Sequence, residues 1–376
     1  HALALPEAEV MSRLGKAGTN DANILSILAE NQLRSDFPED VDKFADQIPL
    51  EVPEEEIARR RDMRKEIVFT IDPVDAKDFD DALSISTLEN GNFYLGVHIA
   101  DVSHYVRPDT PLDKEGYSRG TSVYLVDRVI PMLPERLSNG VCSLRPNEDK
   151  LTYSCFMELD NKGNLVDYSI EETAIHSKHR FSYEEAQEVL DGKSHKINKE
   201  LKTVEKLAKI LLEKRFREGA IDFDTPEPRF ILDEKGKPIE VVIKKRIFAH
   251  RLIEECMLMA NKTVAGHIDN LRKQSGKKKT KELYPFFYRV HDKPNLEKLA
   301  GIAEQVSPLD IHFEVGDNIS PKRLNELLQK VKGTSVETIV SGLMLRAMAK
   351  AEYSPANLGH FGLGFEHYAH FTSPIR

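Results

Sequence analysis

Glu66-Ile-Val-Phe-Thr-Ile71 runs directly into Asp72-Pro-Val-Asp75-Ala-Lys-Asp78-Phe-Asp80-Asp81, and this junction of an apolar run with an acidic loop organises the reading of the chain. The first six residues carry the β-branched and aromatic character of a short strand. Five aspartates then fall within ten positions. Packed carboxylates repel one another, so such a loop needs water or cations around it. Hard oxygen donors favour Mg2+ or Mn2+, and two such ions can stabilise both the attacking and the leaving oxygen of a phosphoryl transfer. A solvated acidic turn is the plainer alternative, and a metal-dependent phosphatase also fits this segment alone. An EF-hand does not, because the loop lacks the glycine at its sixth position and the glutamate at its twelfth.

Working outward, residues 82–86 and 93–102 flank Glu89-Asn90-Gly91-Asn92, whose Asn-Gly pair predicts a hairpin. A second hairpin is expected over 151–170, turning at Asn161-Lys-Gly163, and a third over 230–245, turning near Gly236. Ser182-Tyr-Glu-Glu185 has the spacing of a capping box and opens a helix that stops near Gly192. Leu201, Val204, Leu207, Leu211 and Leu212 recur at helical spacing up to Gly219. Further helices are predicted over 248–268, from Ser320-Pro321 to Gly333, and over 335–352. The first 66 residues read as polar and helical: Ile24, Ile27 and Leu28 share a face. Pro53 opens a second helix with Arg59, Arg60 and Arg61 further along, an order that suits the helix dipole. The elements do not alternate strand with helix, so the fold class is α+β: mixed sheets flanked by helices, with a helical lead-in.

Composition sets the class. At 376 residues, 40% hydrophobic and 31% charged, the chain fits a globular protein and excludes collagen-like and disordered classes. No apolar run approaches the ~20 residues of a membrane helix. The start, His1-Ala-Leu-Ala-Leu-Pro, does not read as a secretory signal. Cys142, Cys155 and Cys256 are odd in number and far apart, which argues against a disulfide framework or a zinc site and points to a cytoplasmic setting. The net charge of −9 argues against a protein that coats nucleic acid non-specifically, but permits a local basic groove beside an acidic metal site. Lys244-Lys-Arg246 and residues 273–281 are the basic stretches available for a phosphate backbone, the second reading more simply as a solvated loop. His98, His104, His291 and His370 have no ligand spacing and are expected in core or hydrogen-bonding roles.

The text around the aspartates carries a resemblance. Asp72-Pro-Val-Asp-Ala-Lys-Asp-Phe-Asp-Asp81, Val97-His-Ile-Ala-Asp-Val-Ser-His-Tyr-Val106, Arg119-Gly-Thr-Ser-Val-Tyr124 and Val129-Ile-Pro-Met-Leu-Pro-Glu135 occur in that order. Leu137-Ser-Asn-Gly-Val-Cys-Ser-Leu144, Leu252-Ile-Glu-Glu-Cys-Met257, His291-Asp-Lys-Pro294 and His367-Tyr-Ala-His-Phe-Thr-Ser-Pro-Ile-Arg376 follow. Together they resemble the RNB catalytic domain of the RNase II/RNase R exoribonucleases, nearer to the bacterial RNase R members, from about residue 55 onward.

That resemblance implies a processive 3′→5′ hydrolysis of single-stranded RNA from its 3′ end to 5′-nucleotides, with Mg2+, or Mn2+, as cofactor. By matching motif, Asp72, Asp78, Asp80 and Asp81 are the implied metal-site carboxylates, with Asp80 and Asp81 also catalytic, while Asp75 is solvated or structural. Arg376 is the implied catalytic arginine, a permanently charged fork suited to charge building on a phosphate. Tyr124 and Phe223 match the aromatics that stack on RNA bases, an interaction that needs no particular sequence. Tyr183 and Glu255 are implied near the terminal nucleotides, where a carboxylate can accept from a 2′-hydroxyl. Glu254 is the alternative to Glu255, since adjacent helical residues point about 100° apart.

The resemblance also divides the chain into a helical lead-in over 1–54 and an RNB domain over 55–376. The cold-shock/OB-type and S1 domains of the family are not recognisable. The chain is expected to be a fragment, C-terminally incomplete, and to act as a monomer without a membrane partner. The rival reading is a catalytically silent RNA-binding scaffold of the same family; the four aspartates and the arginine speak against loss by substitution.

Overall fold

The computed structural model describes residues 9–10, 12–222, 227–234, 236–275, 284–316 and 319–375. Helices α1 (Asn20–Glu30), α2 (Glu39–Asp46) and α3 (Glu54–Ala58) lead into strands β1 (Arg61–Asp62), β2 (Phe69–Asp72), β3 (Asp81–Thr87) and β4 (Phe93–Ala100). Next come α4 (Val102–Tyr105), α5 (Pro111–Arg119), β5 (Val123–Tyr124) and β6 (Val129–Ile130). The long hairpin β7 (Asp149–Leu159) and β8 (Leu165–His176) precedes β9 (His179–Ser182), α6 (Tyr183–Leu190) and α7 (Asn198–Arg217). Strands β10 (Pro228–Leu232) and β11 (Pro238–Ile243) then lead to α8 (Phe248–Gln274). The rest is β12 (Tyr288–Val290), α9 (Leu296–Val306), α10 (Pro321–Val331), α11 (Glu337–Ala347) and β13 (Glu352–Ser354). The class is α+β, as the sequence implies.

The main sheet has seven strands in the order β1-β8-β7-β4-β3-β2-β9. Its two outer pairs, β1–β8 and β2–β9, are parallel, and the pairs between them are antiparallel. Strand alternation divides the side chains between two layers. Leu95, Val97 and Ile99 of β4 with Cys155 and Met157 of β7 pack against α6, α7 and α8. Ala100 and Phe156 face the opposite way, toward α2 and residues 133–144. Leu201, Val204, Leu207 and Leu211 form the buried stripe of α7, each such side chain contributing roughly 1.5–3 kcal/mol. Three helices, α9 to α11, build a separate core around Leu299, Leu324 and Met344.

All three expected hairpins form (β3–β4, β7–β8, β10–β11), and Ser182 and Glu185 complete both halves of the capping box. The upstream reading changes. The helix opened by Pro53 ends at Ala58, so the arginines lie beyond it and do not serve its dipole. Arg61 starts β1, while Arg60 is buried, donating to Asp101 at 2.7 Å and to Glu56 at 2.6 Å. A buried guanidinium needs such partners on several sides, and that demand outweighs a surface dipole effect. α2 was not read from the sequence. α8 runs longer than expected and α11 shorter.

Polar groups on the other face of the sheet form one chain across four strands. Ser84 bonds His98 Nε2 at 2.8 Å, His98 Nδ1 bonds Ser154 at 2.7 Å, and Thr173 meets Ser154 at 2.5 Å and Thr152 at 2.6 Å. Burial pushes the His98 imidazole down to about 3, so it is neutral near pH 7. Gly96 makes room for this contact: a Cβ there would lie 2.4 Å from Ser84 Oγ and 2.9 Å from His98 Nε2. Gly96→Ala is therefore expected to cost roughly 1–3 kcal/mol through overpacking. A fall in denaturant midpoint at constant m-value is the check; an unchanged midpoint would mean the close packing at Gly96 is not present.

Candidate active site

β2 delivers Asp72 at its last position and β3 begins with Asp81, so the acidic loop spans the ends of two strands of the sheet. The loop is pinned at several points. Ser143 Oγ accepts from the Phe79 amide at 3.0 Å and donates to the Lys77 carbonyl at 2.6 Å. Leu144 N–H donates to the Phe79 carbonyl at 3.0 Å, and Ala100 N–H to the Asp80 carbonyl at 2.8 Å. Arg180 of β9 donates to the Pro73 carbonyl. The Asp80 carboxylate is fully buried, and its Oδ1 accepts the Ile375 amide at 2.8 Å, a contact across 295 positions of sequence. Ile375 itself is buried in the core with Phe79, Ala82 and Ala100.

Asp72 and Asp81 are buried with Asp80, whereas Asp78 is half-buried and Asp75 exposed. Among the described residues no group of three or more His, Cys, Asp or Glu side chains is drawn together to hold a metal ion. The loop thus brings the aspartates to one end of the sheet without gathering their carboxylates into a ligand cage. The donors nevertheless fit a hard divalent cation in kind, since three buried carboxylates within ten residues repel one another and a dication would offset that repulsion.

Two of the aromatic candidates, Tyr124 and Tyr183, fall at this end of the sheet. Tyr124, on the β5–β6 hairpin, is half-exposed and its hydroxyl donates to Asp78 Oδ2 at 2.5 Å. Asp72 is in register with Ser182, so Tyr183, the next residue, opens α6 beside the acidic strand end. The Tyr183 ring stacks on His250 of α8, with centroids 4.1 Å apart. Phe223 and Arg376 lie outside the described residues. Their chain neighbours do not: Asp222 is 3.6 Å from Arg251, and Ile375 is the residue bonded to Asp80.

Glu254 and Glu255 face different surroundings. Glu255 is buried, and Arg215 donates to it at 3.0 Å and 2.5 Å. Burial raises its pKa and Arg215 opposes that rise. Glu254 is half-buried, bonded by Arg246, and 3.5 Å from Arg215. It shares a helical face with Asn261, seven residues on, which accepts the Phe371 amide at 2.6 Å and donates to Thr372 at 3.1 Å. Glu254 therefore lies on the side of α8 that meets the segment leading to Ile375.

Ser143, His250, Arg215 and Asn261 were not singled out from the sequence. Ser143 sits inside the quoted 137–144 motif, which was its signal; Asn261 had none that set it apart from the other polar residues of α8. Arg215 had none beyond its place in α7. Of the basic stretches, Arg246 and Lys244 are engaged by Glu254 and Glu227, and positions 276–281 lie outside the described residues.

With this geometry in view, comparison with known proteins is decisive for the family. The RNB domain model matches residues 60–376, and the chain belongs to that family. It is 45% identical over 370 residues to ribonuclease R 1 of Lactococcus lactis, covering 96% of this chain and 44% of that protein. It is 44% identical over 374 residues to ribonuclease R of Aquifex aeolicus, covering 98% and 52%. The structure of Mycoplasma genitalium RNase R in complex with ribose-methylated single-stranded RNA superposes with a TM-score of 0.89 at 32% identity, over 96% of this chain and 56% of that one. The chain thus spans about half the length of the curated relatives it matches. Among the described residues no helix is long and apolar enough to cross a membrane.

Ser143→Ala would leave the Phe79 amide and the Lys77 carbonyl without their partner. The expected loss is roughly 1–3 kcal/mol, the cost of unsatisfied buried groups, with faster hydrogen exchange at the Phe79 amide. Unchanged exchange there would show that the serine does not hold the loop.

Proposed function

We propose that this chain is the catalytic portion of an exoribonuclease that hydrolyses single-stranded RNA processively from its 3′ end to nucleoside 5′-monophosphates. The observation that carries the reading is the Ile375 amide on the Asp80 carboxylate, which joins the acidic loop to the segment that ends in Arg376. The RNB match and the ribonuclease R relatives support it.

Asp72, Asp78, Asp80 and Asp81 would hold Mg2+ or Mn2+, which when bound neutralises charge on phosphate oxygens and acidifies the attacking water. The protein's own part is positioning. Ile375 fixes one oxygen of Asp80. The Tyr124 hydroxyl orients Asp78, while its half-exposed ring offers a face to a base; Phe223 is the second stacking residue in this reading. Stacking contributes ~1–3 kcal/mol per base and tolerates any sequence, as a degradative enzyme requires. Tyr183, backed by His250, follows the residue paired with Asp72 and would border the terminal nucleotide. Glu255, or Glu254 beside it, would accept from a ribose 2′-hydroxyl; Arg215 holds the first carboxylate and Arg246 the second. Arg376 would supply a bidentate positive group to the scissile phosphate.

A 5′-labelled single-stranded RNA incubated with the chain and Mg2+ should shorten from its 3′ end in a ladder that EDTA abolishes. Asp80→Asn should lower the rate by on the order of 10²–10³-fold, the scale for losing one preorganised electrostatic group, while RNA binding by fluorescence anisotropy persists. Binding without any cleavage in the unsubstituted chain would favour the silent-scaffold reading; cleavage that survives Asp80→Asn would remove the metal-site assignment.

A further inference from the structure

A second cleft, of about 250 Å3, opens between α7, α8 and the turn of the β7–β8 hairpin. It lies on a different face of α8 from the candidate active site. Glu255, Met259, Lys262 and Gly266 line it, a stripe at helical spacing, whereas Glu254 and Asn261 share the face that meets Phe371 and Thr372. Arg215 stands between the two, 2.5 Å from Glu255 and 3.5 Å from Glu254.

The charges of the cleft are unevenly matched. Arg215 is satisfied by Glu255, and Lys214 donates to the Gly163 carbonyl at 2.9 Å and to Asn164 at 2.8 Å. Lys262 makes no hydrogen bond or ion pair among the described residues. Its ammonium rests 4.8 Å from the centre of the Phe365 ring; Glu218, which also lines the cleft and lies 3.9 Å from Lys214, and Glu366 make no hydrogen bond or ion pair with it. Burial lowers its pKa, as expected for a cation drawn out of water without a close counter-charge. Leu165, Leu258 and Met259 supply an apolar lining beside it, and Thr263 and Asn270 add polar groups. One incompletely compensated cation next to a compact apolar surface suits a ligand with an anionic end and a flat apolar end.

We propose that this cleft binds a nucleoside 5′-monophosphate, its phosphate at Lys262 and its base against Leu165, Leu258 and Met259. The proposal rests on the exoribonuclease reading in one respect: that reaction releases ligands of this chemical class on the far side of the Arg215 partition. A mononucleotide held there would be retained after cleavage, at a position that does not compete with the RNA 3′ end.

The test is calorimetric titration of the intact chain with AMP, adenosine and inorganic phosphate, in EDTA and without RNA. AMP should bind at one site, with adenosine and phosphate each weaker by about tenfold or more. Lys262→Gln should weaken AMP by about tenfold, Lys262→Arg should restore binding, and Asp80→Asn should leave it unchanged. Thermal melting of each variant separates lost binding from lost folding, and the Arg variant keeps the test open if the Gln variant melts early. No AMP binding, phosphate binding as tight as AMP, or AMP binding removed by Asp80→Asn but not by Lys262→Gln would each overturn the proposal. Since no RNA or divalent ion is present, failure here and failure of the cleavage ladder are separate results.

Discussion

The buried Asp80 carboxylate is the constraint on which the architecture of the site depends. A carboxylate taken out of water is costly unless hydrogen bonds compensate it. Here an amide nearly three hundred residues away supplies one such bond, and Ala100 of β4 fixes the backbone on the other side. This bond therefore forms only when the segment around Ile375 has packed against the acidic loop. Burial of Ile375 among Phe79, Ala82 and Ala100 gives the tie an apolar anchor, so the polar contact and the core support each other.

Sheet order then determines what else reaches this point. The β2–β9 pairing puts the start of α6 beside Asp72, and the stack of Tyr183 on His250 brings in the first turns of α8. Seven residues along α8, Asn261 holds Phe371 and Thr372, which returns the path to Ile375. Acidic loop, α6, α8 and the closing segment thus form a ring of contacts, each fixed by strand register or helical spacing. Ser143 ties the loop to the segment 133–144. Placing chemical groups on such rigid elements is what allows preorganisation to contribute to a rate.

Much of this was legible in the sequence because it is local. Asn90-Gly91 specifies its hairpin, Ser182 and Glu185 cap their helix, and the apolar run before Asp72 becomes β2, because each signal lies within a few residues of its consequence. What was not legible depends on partners brought together by the fold. The bonds from Ser84 through His98 and Ser154 to Thr173 exist only once four strands are in register, and the requirement for Gly96 follows from that chain. The three arginines after α3 have the charge order of a helix terminus, but Asp101, 41 residues from Arg60, claims one of them. The motif points to Glu255 with Glu254 as the alternative; their surroundings differ because Arg215 of α7 closes around Glu255 while Arg246 bonds Glu254, contacts that only the fold creates. The aspartates were read as a metal-ligand set from their motif, and in the structure they share a strand end without a formed cage. Phe223 and Arg376 rest on their motifs alone.

On the proposed function, the end of the sheet carrying Asp72 to Asp81, closed by Ile375, would hold a divalent cation. Paramagnetic broadening by Mn2+ in the amide NMR spectrum tests it directly. At substoichiometric Mn2+ the resonances of residues 72–81 and of Ile375 should broaden first, and Asp80→Asn should weaken the effect there. Broadening centred elsewhere, for instance on the acidic first turn of α3, with the Ile375 resonance untouched, would contradict it.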